Sequence, residues 1–246
     1  MSSCYFKFQE QTILLLSSEL DVGAMKLKVK AIIFDIDGTL IDSLDVIAET
    51  LVEASKEIGY NIGSEDVKEF IGIPGKEIVK QLLKRSDPQK IREVLEKWEE
   101  KQRKIYLKRV KLYPKVKETL GYLKKRGFKL ATATSLTSDK AKEILQIFSI
   151  KRYFDTCVAA DDVKEGKPSP HVFLEAAKRL NVKPEECIVV GDTEYDILAA
   201  RKAKMKVILF DPQKQKFKII KTKPDHIIHS FQELKTLLSY NFNEKR

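Results

Sequence analysis

The chain has 246 residues, of which 43% are apolar, enough for one large or two modest domains around a buried core. Lys and Arg outnumber Asp and Glu by 46 to 36, a net charge of +10, yet no apolar run approaches the ~20 residues that would cross a bilayer. Three scattered cysteines (Cys4, Cys157, Cys187) and three histidines without zinc spacing exclude a cystine-stapled scaffold and a structural zinc, and they fit a reducing, cytoplasmic setting.

Residues 1–25 show neither a basic segment followed by a long apolar core nor a clear periodic pattern, and are read as an N-terminal extension, with Met25 an alternative start. From Val29 onward, apolar strand-like runs alternate with amphipathic stretches, the pattern of a parallel sheet flanked by helices. The strands expected are Val29 to Asp35, Phe128 to Thr134, Thr156 to Ala159, Cys187 to Gly191 and Lys206 to Phe210, with a weaker sixth around Ile227. Helices are expected near Val116 to Arg126, Ser138 to Phe148, Pro170 to Leu180, Glu194 to Ala203 and Phe231 to Leu238, with Ser169 as an N-cap before Pro170.

Between Asp42 and Leu112 the alternation gives way to helix. Leu44, Ile47, Leu51 and Ile58 form one apolar stripe; Ile91, Val94, Leu95, Trp98 and Ile105 form another. Residues 42–112 are therefore an all-helical insertion that leaves and re-enters the sheet beside the first strand's end, where it can act as a lid. The α/β core is assigned to 26–41 and 113–240, and a tail to 241–246.

The most informative stretch is Ala31-Ile-Ile-Phe-Asp-Ile-Asp-Gly-Thr-Leu40, an apolar strand delivering Asp35 and Asp37 into a Gly-Thr turn. Residues two apart at a strand end project to one face, so the two acids can share a metal and a reacting group. This suits a nucleophilic carboxylate beside a carboxylic acid that protonates a leaving oxygen. Three more features fall at strand ends, where ligands of open α/β sheets bind. Leu130-Ala-Thr-Ala-Thr-Ser135 closes on hydroxyls before a helix, so Thr134 and the Ser135 amide can hold phosphate oxygens or simply cap the helix. Glu165-Gly-Lys-Pro-Ser-Pro170 fixes Lys167 in a stiff loop as a compact positive charge, or leaves it an ordinary surface lysine. Ile188-Val-Val-Gly-Asp-Thr-Glu-Tyr-Asp196 brings Asp192 and Asp196 to the same edge, as metal ligands or as helix N-terminal acids. A Mg²⁺ ion, which takes one or two carboxylates with water and phosphate, matches that supply.

In this order the four segments resemble the haloacid dehalogenase superfamily, over roughly Lys28 to Phe231, and in particular its phosphoglycolate phosphatase and beta-phosphoglucomutase-like members with a helical cap. The resemblance implies a Rossmann-like core with the first strand at the sheet centre. It implies that Asp35 becomes an aspartyl phosphate while Asp37 protonates the alcohol and then activates water. Thr134, Ser135 and Lys167 would hold the phosphoryl group. Mg²⁺ would be bound by Asp35, the backbone carbonyl of Asp37 and Asp192, with Asp196 a direct or indirect partner, and Thr39 would orient the loop. The expected substrate is a small phosphorylated metabolite, phosphoglycolate or a sugar phosphate, with pyrophosphate and nucleotides open.

Asp37 speaks against a dehalogenase, because departing halide needs no proton. A phosphomutase shares the early chemistry and is the main alternative. A phosphorylated receiver domain lacks such an insertion. The basic run Lys214, Lys216, Lys218, Lys221 and Lys223 motivates a nucleic-acid-binding alternative, but without interleaved aromatics it reads as a solvated face, and no specific nucleic-acid or membrane partner is expected. In the insertion, Phe70-Ile-Gly-Ile-Pro-Gly-Lys76 is a turn able to reach the site, with Lys76 a candidate contact to the leaving group. Oligomeric state is left open.

Overall fold

A computed structural model describes residues 29–84, 86–214 and 220–240. The N-terminal extension as far as residue 28, Lys216, Lys218 and the 241–246 tail lie outside them; Lys214, Lys221 and Lys223 are exposed. Six parallel strands form one sheet: β1 (Ala31–Phe34), β4 (Lys129–Ala133), β5 (Thr156–Val158), β6 (Cys187–Gly191), β7 (Lys206–Phe210) and β8 (His226–Ile228). Their order is β5-β4-β1-β6-β7-β8, so β1 is interior. Each strand matches its expected range to within two residues, the differences falling where the chain leaves the ladder before the apolar pattern ends.

Both faces of the sheet are covered, as a parallel sheet requires. Alternate residues of β1 serve the two layers: Ala31 and Ile33 face α7 (His171–Leu180) and α8 (Glu194–Lys202). Ile32 and Phe34 face the layer of α5 (Val116–Lys125), α6 (Ser138–Ile147) and α9 (Phe231–Tyr240). In that second layer Phe231 stacks on Phe34 at 6.3 Å and meets Phe210 edge-on at 5.3 Å, while its carbonyl accepts the Thr119 hydroxyl. Phe231→Ala is expected to cost about 3–5 kcal/mol, seen as a lower urea midpoint.

α7 starts one residue later than expected. The Ser169 hydroxyl pairs with the His171 ring rather than capping a backbone amide, and Pro170 occupies the cap position.

The insertion leaves through β2 (Ile41–Asp42) and returns through β3 (Lys111–Leu112), which pair antiparallel. Between them lie α1 (Leu44–Glu57), α2 (Ser64–Phe70), α3 (Gly75–Leu82) and α4 (Pro88–Arg109). α4 starts where Asp87 caps the Gln89 amide and Pro88 supplies the preset first φ. Its buried stripe differs from the expected one at the last turn: Tyr106 is buried, and Ile105 is only partly so. Trp98 and Gln102 both donate to the Thr50 hydroxyl of α1, which itself donates to the Val46 carbonyl. Among the described residues no helix is long and apolar enough to cross a membrane.

Candidate active site

The register of β1 against its two neighbours sets the site. Phe34 is level with Thr132 of β4 and Val190 of β6, so the next residues of all three strands emerge together at one edge. Asp35 remains tied to the sheet by its amide, which donates to the Val190 carbonyl at 2.9 Å. The chain then turns sharply through Gly38, whose φ is +74°. A Cβ there would lie 2.3 Å from Asp192 Oδ2, so both the turn and the close approach require glycine.

Asp35, Asp192 and Asp196 are all buried, and each offers an oxygen within 4.8 Å of the others. Lys167 Nζ lies 2.7 Å from Asp35 Oδ1 and 2.7 Å from Asp196 Oδ1, and 5.3 Å above the Phe173 ring. Thr39 donates to Asp192 Oδ1 at 3.0 Å, orienting that carboxylate from the first loop. Asp196 Oδ2 accepts the Thr193 amide and hydroxyl, completing the N-terminal cap of α8. Asp196 thus serves the helix with one oxygen and faces Lys167 with the other.

Burial pushes the Asp35 carboxyl well above the usual carboxylate range; Lys167 opposes this, and Asp196 and Asp192 add to it. For Lys167, burial favours the neutral amine, but Asp196 and Asp35 more than offset that and hold it protonated. Three carboxylates against one ammonium leave the pocket short of positive charge. An all-oxygen acidic donor set of this kind fits a hard divalent cation.

Asp37 keeps some exposed surface, but its carboxyl sits among protein groups. Burial raises its pKa, against the Ser43 and Tyr106 hydrogen bonds. Ser43 donates to Asp37 Oδ1 at 2.6 Å, and the Tyr106 hydroxyl of α4 donates to the same oxygen. Burial and the neighbouring Asp37 hold the Tyr106 phenol well above its ordinary value, so it remains a donor.

Thr134 is buried just past β4, its hydroxyl accepting the Leu136 amide. Ser135 lies beside it, but its hydroxyl donates to the Gly72 carbonyl of the insertion at 2.6 Å. The turn before α3 covers the site at two more points. Gly72, at φ +118°, leaves no room for a Cβ, which would meet Thr193 Oγ1 at 2.8 Å. A Cβ on Gly166 would meet Pro74 at 2.5 Å. The Phe70–Lys76 segment therefore reaches the core loops through Gly72 and Pro74. Lys76 is exposed in the first turn of α3 and forms no hydrogen bond or ion pair with the described site residues.

Sequence reasoning missed Ser43, Tyr106 and Thr193. Ser43, six residues from Asp37, was within reach of a local reading; Tyr106, 69 residues away, carried no local signal.

The profile of the family described as haloacid dehalogenase-like hydrolase matches residues 32–210. A phosphoglycolate phosphatase of Aquifex aeolicus is 36% identical over 73% of this chain and 84% of its own length. The pyrophosphatase PpaX of Halalkalibacterium halodurans is 31% identical over 85% of this chain and 96% of its own. A solved hydrolase from Pseudomonas syringae superposes with a TM-score of 0.76 at 26% identity, covering 86% of this chain and 98% of that one. With four acidic, hydroxyl and lysine segments converging at one sheet edge, the chain belongs to the haloacid dehalogenase-like hydrolase family, on its phosphatase side.

Proposed function

We propose that the protein is a Mg²⁺-dependent phosphatase of small phosphomonoesters that works through an aspartyl phosphate on Asp35. The observation that carries this reading is the convergence of Asp35, Lys167, Asp192 and Asp196 at the end of β1, with Asp37 two residues on and bonded separately. A carboxylate of Asp35 forms a bond to phosphorus as the ester P–O bond breaks, and the departing alkoxide takes a proton from Asp37. Asp37 then takes a proton from water, whose oxygen attacks phosphorus and frees inorganic phosphate and the Asp35 carboxylate. Lys167 offsets the repulsion between an anionic nucleophile and an anionic ester, while the Thr134 hydroxyl and the Ser135 amide take phosphoryl oxygens.

Asp35, Asp192 and the Asp37 carbonyl would hold Mg²⁺. Asp196 Oδ2 is taken up by the cap of α8, while Oδ1 has an ion pair with Lys167 but no hydrogen bond, so Asp196 would meet the ion through Oδ1, directly or through water. Bound there, Mg²⁺ would neutralise charge on the carboxylates and on the phosphoryl oxygens. In the same reading residues 42–112 are a cap over a core of 26–41 and 113–240. The preferred substrate class is phosphoglycolate or a sugar phosphate, and pyrophosphate is the first competitor because of the PpaX relative.

A panel of phosphometabolites and pyrophosphate, assayed with Mg²⁺ and again with EDTA, tests this directly. Phosphate release is expected from a small monoester and is expected to stop in EDTA. Release that persists without divalent metal, or a panel without turnover, would refute it.

A further inference from the structure

The two donors on Asp37 converge on one oxygen. Ser43 Oγ and the Tyr106 hydroxyl both reach Oδ1, from the turn before α1 and from α4. A protonated carboxyl oxygen is a poor acceptor, and it could pass its single proton to only one of two neighbours. An ionised carboxylate accepts both bonds at Oδ1; once Asp37 takes up a proton, both bonds persist only if Oδ1 is the carbonyl-type oxygen and the proton sits on Oδ2.

Tyr106 comes from a helix whose rotation is fixed. Trp98, Gln102 and Tyr106 are spaced by four residues on one face of α4, and the first two are locked to Thr50 of α1. The phenol therefore reaches Asp37 only when α4 is seated on α1. It is 5% exposed, so no water competes freely for its hydroxyl.

We infer that Tyr106 is a positioning residue: with Ser43 it occupies Asp37 Oδ1 and so reserves Oδ2, with its proton, for the leaving oxygen. The inference rests on Asp37 being the general acid of the proposed phosphatase. It predicts that Tyr106 matters in proportion to how badly the leaving group needs a proton. An alkoxide needs one, whereas 4-nitrophenolate leaves without one.

The test compares kcat/KM for the best alkyl phosphomonoester of the panel and for 4-nitrophenyl phosphate, in wild type, Tyr106→Phe, Ser43→Ala and Asp37→Asn, each with Mg²⁺. Use of kcat/KM isolates the steps up to phosphorylation of Asp35. Asp37→Asn should lose roughly 10²–10⁴-fold on the alkyl ester and far less on the nitrophenyl ester. Tyr106→Phe keeps the buried ring and should show the same split, at roughly 10-fold or more on the alkyl ester against about 2-fold on the other. Ser43→Ala should follow in the same direction, which keeps the idea testable if the tyrosine variant folds poorly. A split in Asp37→Asn with none in Tyr106→Phe or Ser43→Ala would overturn the positioning role alone. Equal losses in Asp37→Asn on both esters would overturn the general-acid assignment beneath it.

Discussion

Asp35→Asn should reduce phosphomonoester turnover by roughly 10⁴-fold while leaving a folded protein, because it removes the proposed nucleophile and alters no apolar packing. The asparagine keeps the shape of the side chain and can still meet Lys167, which lies 2.7 Å from Oδ1 in the native site. A second readout is independent of turnover. Burial raises the Asp35 pKa, so the metal-free folded protein holds a proton that the unfolded chain releases at the ordinary value of 3.8. The stability linked to that proton is full below the unfolded value and is lost as pH rises through the folded one. The melting temperature in EDTA should therefore fall as pH rises above the unfolded value of 3.8 for the native protein, and less steeply for Asp35→Asn. Some slope will persist, because the Asp37 pKa is raised as well. Near-native turnover in the variant would remove Asp35 from the chemistry.

Lys167→Met should harm both stability and catalysis. The lysine is the ammonium between two buried carboxylates, with side-chain exposures of 1%, 5% and 0% for Lys167, Asp35 and Asp196. Removing one partner of such a cluster leaves uncompensated buried charge and costs about 3–5 kcal/mol. Methionine retains an apolar stem over the Phe173 ring, so the loss reports charge more than packing. Guanidinium denaturation in EDTA should show the drop, and Mg²⁺ should restore more stability to the variant than it adds to the native protein. Catalysis should fall by roughly 10²–10³-fold even with Mg²⁺, the usual effect of removing a preorganised charge from a developing oxyanion. A variant as stable as the native protein in EDTA would mean that the carboxylates are balanced in some other way.

Much of this architecture was legible in the chain because parallel strands are short apolar runs with hydroxyl, glycine or acidic residues at their ends. Cys187–Gly191 and Lys206–Phe210 match their expected ranges, and the weak sixth strand is present at His226–Ile228. The acids at the ends of β1 and β6 were equally visible, since a strand delivers its last side chains to a known edge. Contacts that cross from the insertion to the core were not. Periodicity assigned Ile105 to the buried stripe of α4, but the residue buried at that turn is Tyr106, drawn in by a hydrogen bond that no local pattern encodes. Lys76 was singled out for its charge, whereas its segment approaches the core through the Gly72 carbonyl and the Pro74 ring, and a one-letter sequence does not reveal backbone acceptors. The Asp196 carboxylate was open to two readings, helix cap or site ligand, and the structure uses one oxygen for the cap and turns the other toward Lys167.

The interior position of β1 has a consequence for how slowly its backbone exchanges hydrogen. Its residues are fully shielded and bonded to strands on both sides, and the Asp35 amide continues that ladder. Such amides exchange with solvent only when the whole sheet opens. Deuterium should therefore enter the Asp35 amide among the last sites in the molecule, and heat should not release that amide before the sheet itself melts.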